Sequence, residues 1–113
     1  MGAAAQISVV NTDFIPGYRI SRMIGLVRGN TVRTKHALHD IAASLKTIIG
    51  GEIGSYTEML SEAREQATVR MIDEARQRGA NAVINVRYAT SAVMAQAAEI
   101  LCYGTAVIIE PDI

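Results

Sequence analysis

From Glu99 to Glu110 the chain is apolar on both sides of a strand. Side chains alternate across a strand, so Ile100, Cys102, Ala106 and Ile108 take one face while Leu101, Tyr103, Val107 and Ile109 take the other. A strand with one wet face carries a polar residue at every second position. This one does not, so it belongs inside a sheet whose two faces are both covered. Whatever else the chain builds must supply that cover.

The rest of the sequence offers limited material for it. Ile7-Ser8-Val9-Val10 reads as a short first strand, and Pro16-Gly17 within 13–18 marks a turn. A second strand runs from Tyr18 to Arg28, with Ile20, Ile24 and Leu26 on one face and Met23 and Val27 on the other. Gly29 and Asn30 are expected to end it. A helix then begins near Thr34, its apolar stripe formed by Leu38, Ile41, Ala42, Leu45, Ile48 and Ile49. Gly50-Gly51 is expected to stop that helix, because glycine takes the left-handed conformation cheaply. Ser55 and Glu58 form a capping box for a second helix, whose face carries Tyr56, Met59, Leu60, Ala63, Ala67 and Met71. Arg76 and Arg78 oppose the dipole of its last turn and Gly79 ends it. Ala82, Ile84, Val86 and Tyr88 then alternate with Asn85 and Arg87 as a half-buried strand. Ser91 to Ala98 is small and apolar, a long connection or an extension of that strand.

The expected fold is α+β: a mainly antiparallel four-stranded sheet with two helices on one face, in the order β-β-α-α-β-β. A single domain fills 1–113. Two helices cover one side of such a sheet, and nothing is left for the other. The doubly apolar last strand therefore favours self-association over its alternative, a terminal strand wrapped by the N-terminal segment.

Composition narrows the partners. Lys plus Arg (11) equals Asp plus Glu (11), so no net field attracts nucleic acid or an acidic membrane. No apolar run approaches the ~18–20 residues of a membrane span. Met1 to Gln6 lacks the layout of a signal peptide. Cys102 is the single cysteine, which excludes an intrachain disulfide and makes a reducing cytoplasm the expected location.

The run Gly50-Gly51-Glu52-Ile53-Gly54-Ser55-Tyr56, the helix after it, Gly79-Ala80-Asn81-Ala82-Val83 and the later Gly104-Thr105-Ala106-Val107 resemble the YbjQ-like family of small bacterial proteins. That family is of unknown function and carries a provisional heavy-metal-binding label. The resemblance spans about Tyr18 to Ile109. It implies ring-shaped pentamers and acidic residues along the strand after the second helix. Here those positions hold Arg87, Ala89 and Ser91, and Glu52 stands where a basic residue is common, so this chain departs from the inherited carboxylate set.

Several groups are candidates for chemistry. His36, His39 and Asp40 are close enough on one helix to share a metal ion, although two imidazoles and one carboxylate also suit a solvated helix face. Gly50, Gly51, Gly54, Ser55 and Tyr56 precede or open a helix whose free N–H groups could hold an anion. They lack the Lys-Ser/Thr ending of a phosphate loop, and a tight capped turn explains them as well. Cys102, in mid-strand, reads as a small buried hydrophobe. No hydrolase elbow, zinc-protease helix or dinucleotide fingerprint is present. The favoured function is a non-enzymatic, ring-forming cytoplasmic domain that binds a divalent metal ion or small ligand at subunit boundaries. The alternatives are an enzyme of unassigned reaction with an inter-subunit site and a purely structural assembly module. The expected partner is the chain itself, with no nucleic acid and no membrane.

Overall fold

The computed structural model describes residues 6–34, 51–94 and 97–113. In chain order they form β1 (Ser8–Val9), β2 (Tyr18–Thr34), α1 (Gly51–Gln77), β3 (Ala82–Met94) and β4 (Ala97–Pro111). The strands lie in one sheet in the order β1-β3-β4-β2. β4 pairs antiparallel with both β2 and β3, which makes the doubly apolar strand central. β1 pairs parallel with β3, Ser8 facing Ala82 and Val9 facing Val83.

Two parts of the expected architecture are overturned. The sheet is mixed, because the N-terminal segment meets β3 in a parallel sense. Among the described residues there is one helix, on one face of the sheet, where two were expected; the first expected helix lies outside the described residues. The described helix spans Gly51–Gln77, so Gly51, Gly54 and Ser55 sit within it and Ser55 is not its cap. Glycine makes helical geometry costlier by roughly 1 kcal/mol without forbidding it.

α1 packs through small residues. Ala63, Ala67, Met71 and Ala75, one turn apart, are all 0 % exposed. They meet Val27, Val83, Val86, Ile100, Cys102 and Ala106 in the main core. With so little side chain between them, helix and sheet come close at Gly29: a Cβ there would collide with Ala67 O and Met71 N and stand 2.7 Å from Arg70 Cβ. Gly29 and Asn30 therefore do not end β2, which continues to Thr34. Two residues on, the buried Thr31 hydroxyl donates to Ala63 O at 3.0 Å, so its polar atom is satisfied.

The far face holds a second cluster. Ala82, Ile84, Val107 and Ile109 pack there beneath Val10 and Ile15. The N-terminal segment thus covers this end of the outer face. Its described residues do not cover the outer side of β2, where Met23 is 71 % and Leu26 62 % exposed.

Bulges explain how single strands serve both clusters. In β3 the register slips between Ile84 and Arg87, and Asn85 there has φ 55°, a left-handed conformation that asparagine tolerates. Its N–H donates to Thr12 O at 2.9 Å, tying the bulge to the N-terminal segment. Ala82 and Ile84 therefore belong to the outer cluster and Val86 to the inner one, although simple alternation puts all three on one face. β2 slips twice, between Ile20 and Arg22 and between Met23 and Gly25, which moves Ile24 to the main core and away from Leu26.

β2 is an edge strand, and α1 covers part of its open backbone. Arg70 Nη1 donates to Asn30 O at 2.6 Å and the Arg28 N–H donates to Glu74 at 2.8 Å. Arg78 donates to Leu26 O at 2.8 Å and Ile24 O at 3.3 Å. Side chains spaced four apart thus answer backbone groups that would otherwise template another strand. After α1 the Gly79 N–H donates to Arg76 O at 2.9 Å and the Ala80 N–H to Ala75 O at 3.0 Å, with Gly79 at φ 90°. This is a Schellman stop. Asn81 then clamps β4: its Nδ2 donates to Ile109 O at 3.0 Å and its Oδ1 accepts from Ile109 N at 2.8 Å.

Candidate functional site

The described residues bring four polar or sulfur-bearing side chains together between α1 and the sheet. Thr68 and Met71, three apart, share the helix face that looks onto β3 and β4. Tyr88 and Cys102 are cross-strand partners whose side chains rise toward that face. The Thr68 hydroxyl donates to Arg64 O at 2.7 Å and also lies 2.7 Å from Tyr88 Oη. A hydroxyl has one proton, so Tyr88 must be the donor to Thr68. Deeper in, the Cys102 thiol donates to Met71 Sδ at 3.5 Å.

Burial sets the chemistry of this group. It pushes the Cys102 thiol above its ordinary value of 9.0, with the neighbouring Tyr88 and Thr68 hydroxyls pulling the other way. Burial likewise raises the Tyr88 phenol above its ordinary value of 10.0, opposed by its bond to Thr68. At neutral pH both groups keep their protons. The thiol is fully buried, as expected of a core cysteine, and among the described residues no base stands beside it to make a nucleophile. Above the cluster, Arg64, Glu65, Thr68, Val69 and Tyr88 line a shallow, open depression of about 550 Å³.

The candidates read from the sequence fare unevenly. His36, His39, Asp40 and Gly50 lie outside the described residues. Gly51, Gly54, Ser55 and Tyr56 lie within the first described turns of α1, before Thr68 and Met71 on the same helix. Arg87, Ala89 and Ser91 lie exposed on β3, and Arg87 Nη1 donates to Asn11 O at 2.9 Å. The meeting of Cys102 with Met71, Thr68 and Tyr88 was not read from the sequence. The signal available was the helical spacing of Thr68 and Met71; the strand register that brings Cys102 and Tyr88 beneath them is non-local.

Residues 7–110 match the model of the YbjQ-like family described as "Putative heavy-metal-binding". The chain belongs to this family. A UPF0145 protein of Thermus thermophilus is 56% identical over 106 residues, covering 94% of this chain and 93% of its own. One from Fervidobacterium nodosum is 59% identical over 99 residues, covering 88% and 92%. A crystal structure of a protein of unknown function from Pediococcus pentosaceus, assigned to the DUF74 family, shares the fold with TM-score 0.63 at 16% identity. It covers 92% of this chain and 98% of its own.

The family description invites a fit test. Among the described residues no three of His, Cys, Asp and Glu converge. The carboxylate and imidazole set that holds zinc or nickel is therefore not assembled by them. The donors that do meet are soft ones, the thiol of Cys102 and the thioether of Met71. Among the described residues no helix is long and apolar enough to cross a membrane.

Proposed function

We propose that this chain is a non-enzymatic subunit of a homo-oligomeric ring, a pentamer by the family resemblance, that binds a metal ion or small ligand at subunit boundaries in the cytoplasm. The observation that carries this reading is the outer face of β2. Register places Ile20, Met23, Leu26 and Val32 opposite Ile109, Val107, Thr105 and Glu99, on the side away from α1. They are 43, 71, 62 and 50 % exposed. Ile20, Met23 and Leu26 follow one another on that face, with Val32 beyond Arg28 and Asn30, and an exposed apolar row of this kind is what a subunit interface needs. The central β4 is filled on its inner face, and among the described residues the N-terminal segment covers the Ala82–Ile109 end of the outer one. The occupant we propose is a second copy, which carries the same apolar row.

Light scattering coupled to size exclusion at micromolar concentration tests this. A particle of several times 12.1 kDa is expected. Leu26→Glu together with Met23→Glu should shift it toward the single chain while leaving the secondary structure intact. A stable 12.1 kDa wild-type particle overturns the reading.

A further inference from the structure

A ring needs a surface on each copy to receive the β2 row of its neighbour, and the distribution of charge selects one. We propose that neighbouring copies meet front to back, the outer face of β2 in one copy lying on the exposed side of α1 in the next. This contact rests on the ring reading and names its partner surface. β2 carries four arginines and no acidic residue. α1 carries six acidic residues and three arginines. The chain as a whole is neutral, so its charge is sorted between two elements instead of mixed. Among the described residues no ion pair joins the two; those formed are Arg19 to Glu110 and Arg76 to Asp73. The exposed Arg28 on β2 and the exposed Glu58, Glu62 and Glu65 on α1 therefore make no ion pair with any described residue of their own subunit.

Row against row is the alternative, and it sets arginines against arginines. A two-fold axis would bring β2 to β2, four cations on each side and no anion among them. Like charges held face to face oppose association. A front-to-back contact can close a ring and brings opposite signs together. Shape agrees with charge. Among the described side chains of α1, Val69 is the exposed large hydrophobic, at 51 %. It borders the open depression it shares with Arg64, Glu65, Thr68 and Tyr88, a seat for a protruding side chain such as Leu26. Spacing agrees as well. Arg28 stands two residues beyond Leu26 on the same face, about 6.6 Å at roughly 3.3 Å per strand residue. Glu65 stands four residues before Val69, about 6 Å at roughly 1.5 Å per helical residue. With Leu26 of one copy on Val69 of the next, Arg28 meets Glu65.

Charge reversal tests this, because each face can be altered by itself. Arg28 and Glu65 are both exposed, so the variants should fold, which circular dichroism checks. Arg28→Glu and Glu65→Arg should each raise the chain concentration at half-assembly by about tenfold or more in light scattering. Both changes in one chain should bring it back to within about threefold of the unaltered protein. Row-on-row packing gives a different pattern: Glu65→Arg is silent there and cannot rescue Arg28→Glu. A silent Glu65→Arg, or a double variant no better than Arg28→Glu, overturns the proposal. If a reversed variant misfolds, Arg28→Gln and Glu65→Gln take its place; each should weaken assembly, and no change in Glu65→Gln overturns the contact. Cysteine linkage is a second readout. Leu26→Cys/Val69→Cys, once oxidised, should run as a ladder of linked chains on a denaturing gel, whereas linked pairs from Leu26→Cys alone overturn the front-to-back arrangement. The two readings fail separately: a single-chain wild-type particle sinks the ring itself, and a stable assembly indifferent to both charges sinks this contact alone.

Discussion

Replacing Gly29 by alanine tests the seating of helix on sheet most directly. The added methyl would meet Ala67 O and Met71 N, which are main-chain atoms of α1 and cannot turn aside as a side chain can. The helix must lift. Overpacking of this kind costs about 1–3 kcal/mol. Lifting also loosens the buried bond from Thr31 to Ala63 O, worth about 1 kcal/mol. A total near 3 kcal/mol is expected, which at roughly 4–8 °C per kcal/mol lowers Tm by about 12–24 °C. Gly104 supplies the comparison. A Cβ there meets Val83 Cγ1 at 2.8 Å and Val86 Cγ2 at 3.1 Å, which can give, and Ile84 O at 3.0 Å, which gives less. Gly104→Ala should cost about 1–2 kcal/mol. Urea unfolding followed by circular dichroism, at one fixed chain concentration, measures both. A Gly29→Ala cost below 1 kcal/mol, or one smaller than that of Gly104→Ala, refutes the argument that backbone contact at Gly29 sets the helix position.

Asn81→Ala removes both hydrogen bonds to Ile109 and should cost about 2 kcal/mol, read as a drop in urea midpoint with the slope unchanged. Arg78→Ala frees the carbonyls of Ile24 and Leu26 on the sheet edge; a modest loss of about 1 kcal/mol is expected, with faster growth of light scattering on gentle heating. Stability should fall as pH rises above about 9, because Cys102 and Tyr88 hold their protons more tightly folded than unfolded. The part due to Cys102 is present below the thiol's unfolded value and lost as pH rises through its raised folded one. Cys102→Ala should flatten the first portion of that fall in a pH series of thermal melts.

Much of this fold was legible from local pattern. The doubly apolar run from Ile100 to Ile109 does lie in the middle of the sheet, and Gly79 does stop the helix. What escaped was non-local or broke periodicity. Gly29 looked like punctuation, yet its bareness serves the contact with Ala67, thirty-eight residues on in the numbering (67 − 29). Alternation across Ala82, Ile84 and Val86 fails at Asn85, because one left-handed residue in a bulge moves the side chains that follow it to the opposite face. The parallel pairing of β1 could not be read from a segment as short as Ser8–Val9, which carries too little pattern to choose a direction. The sulfur pair hides in ordinary apolar stripes, one on a helix and one on a strand, and only tertiary packing brings them within reach.

The central position of β4 has a consequence during synthesis. Arg19, near the start of β2, makes its ion pair with Glu110, 91 residues later in the chain. At about 5–20 residues per second a ribosome needs some 5–18 s to cover that distance. For all of it β2 has no ladder to join, and Met23 and Leu26 wait beside their own unpaired backbone. Pairings this remote in sequence are slow to form even in a complete chain. A nascent chain stalled before Ala97 should therefore be a client for holding chaperones, and the risk ends only when the strand that bonds to both neighbours leaves the exit tunnel.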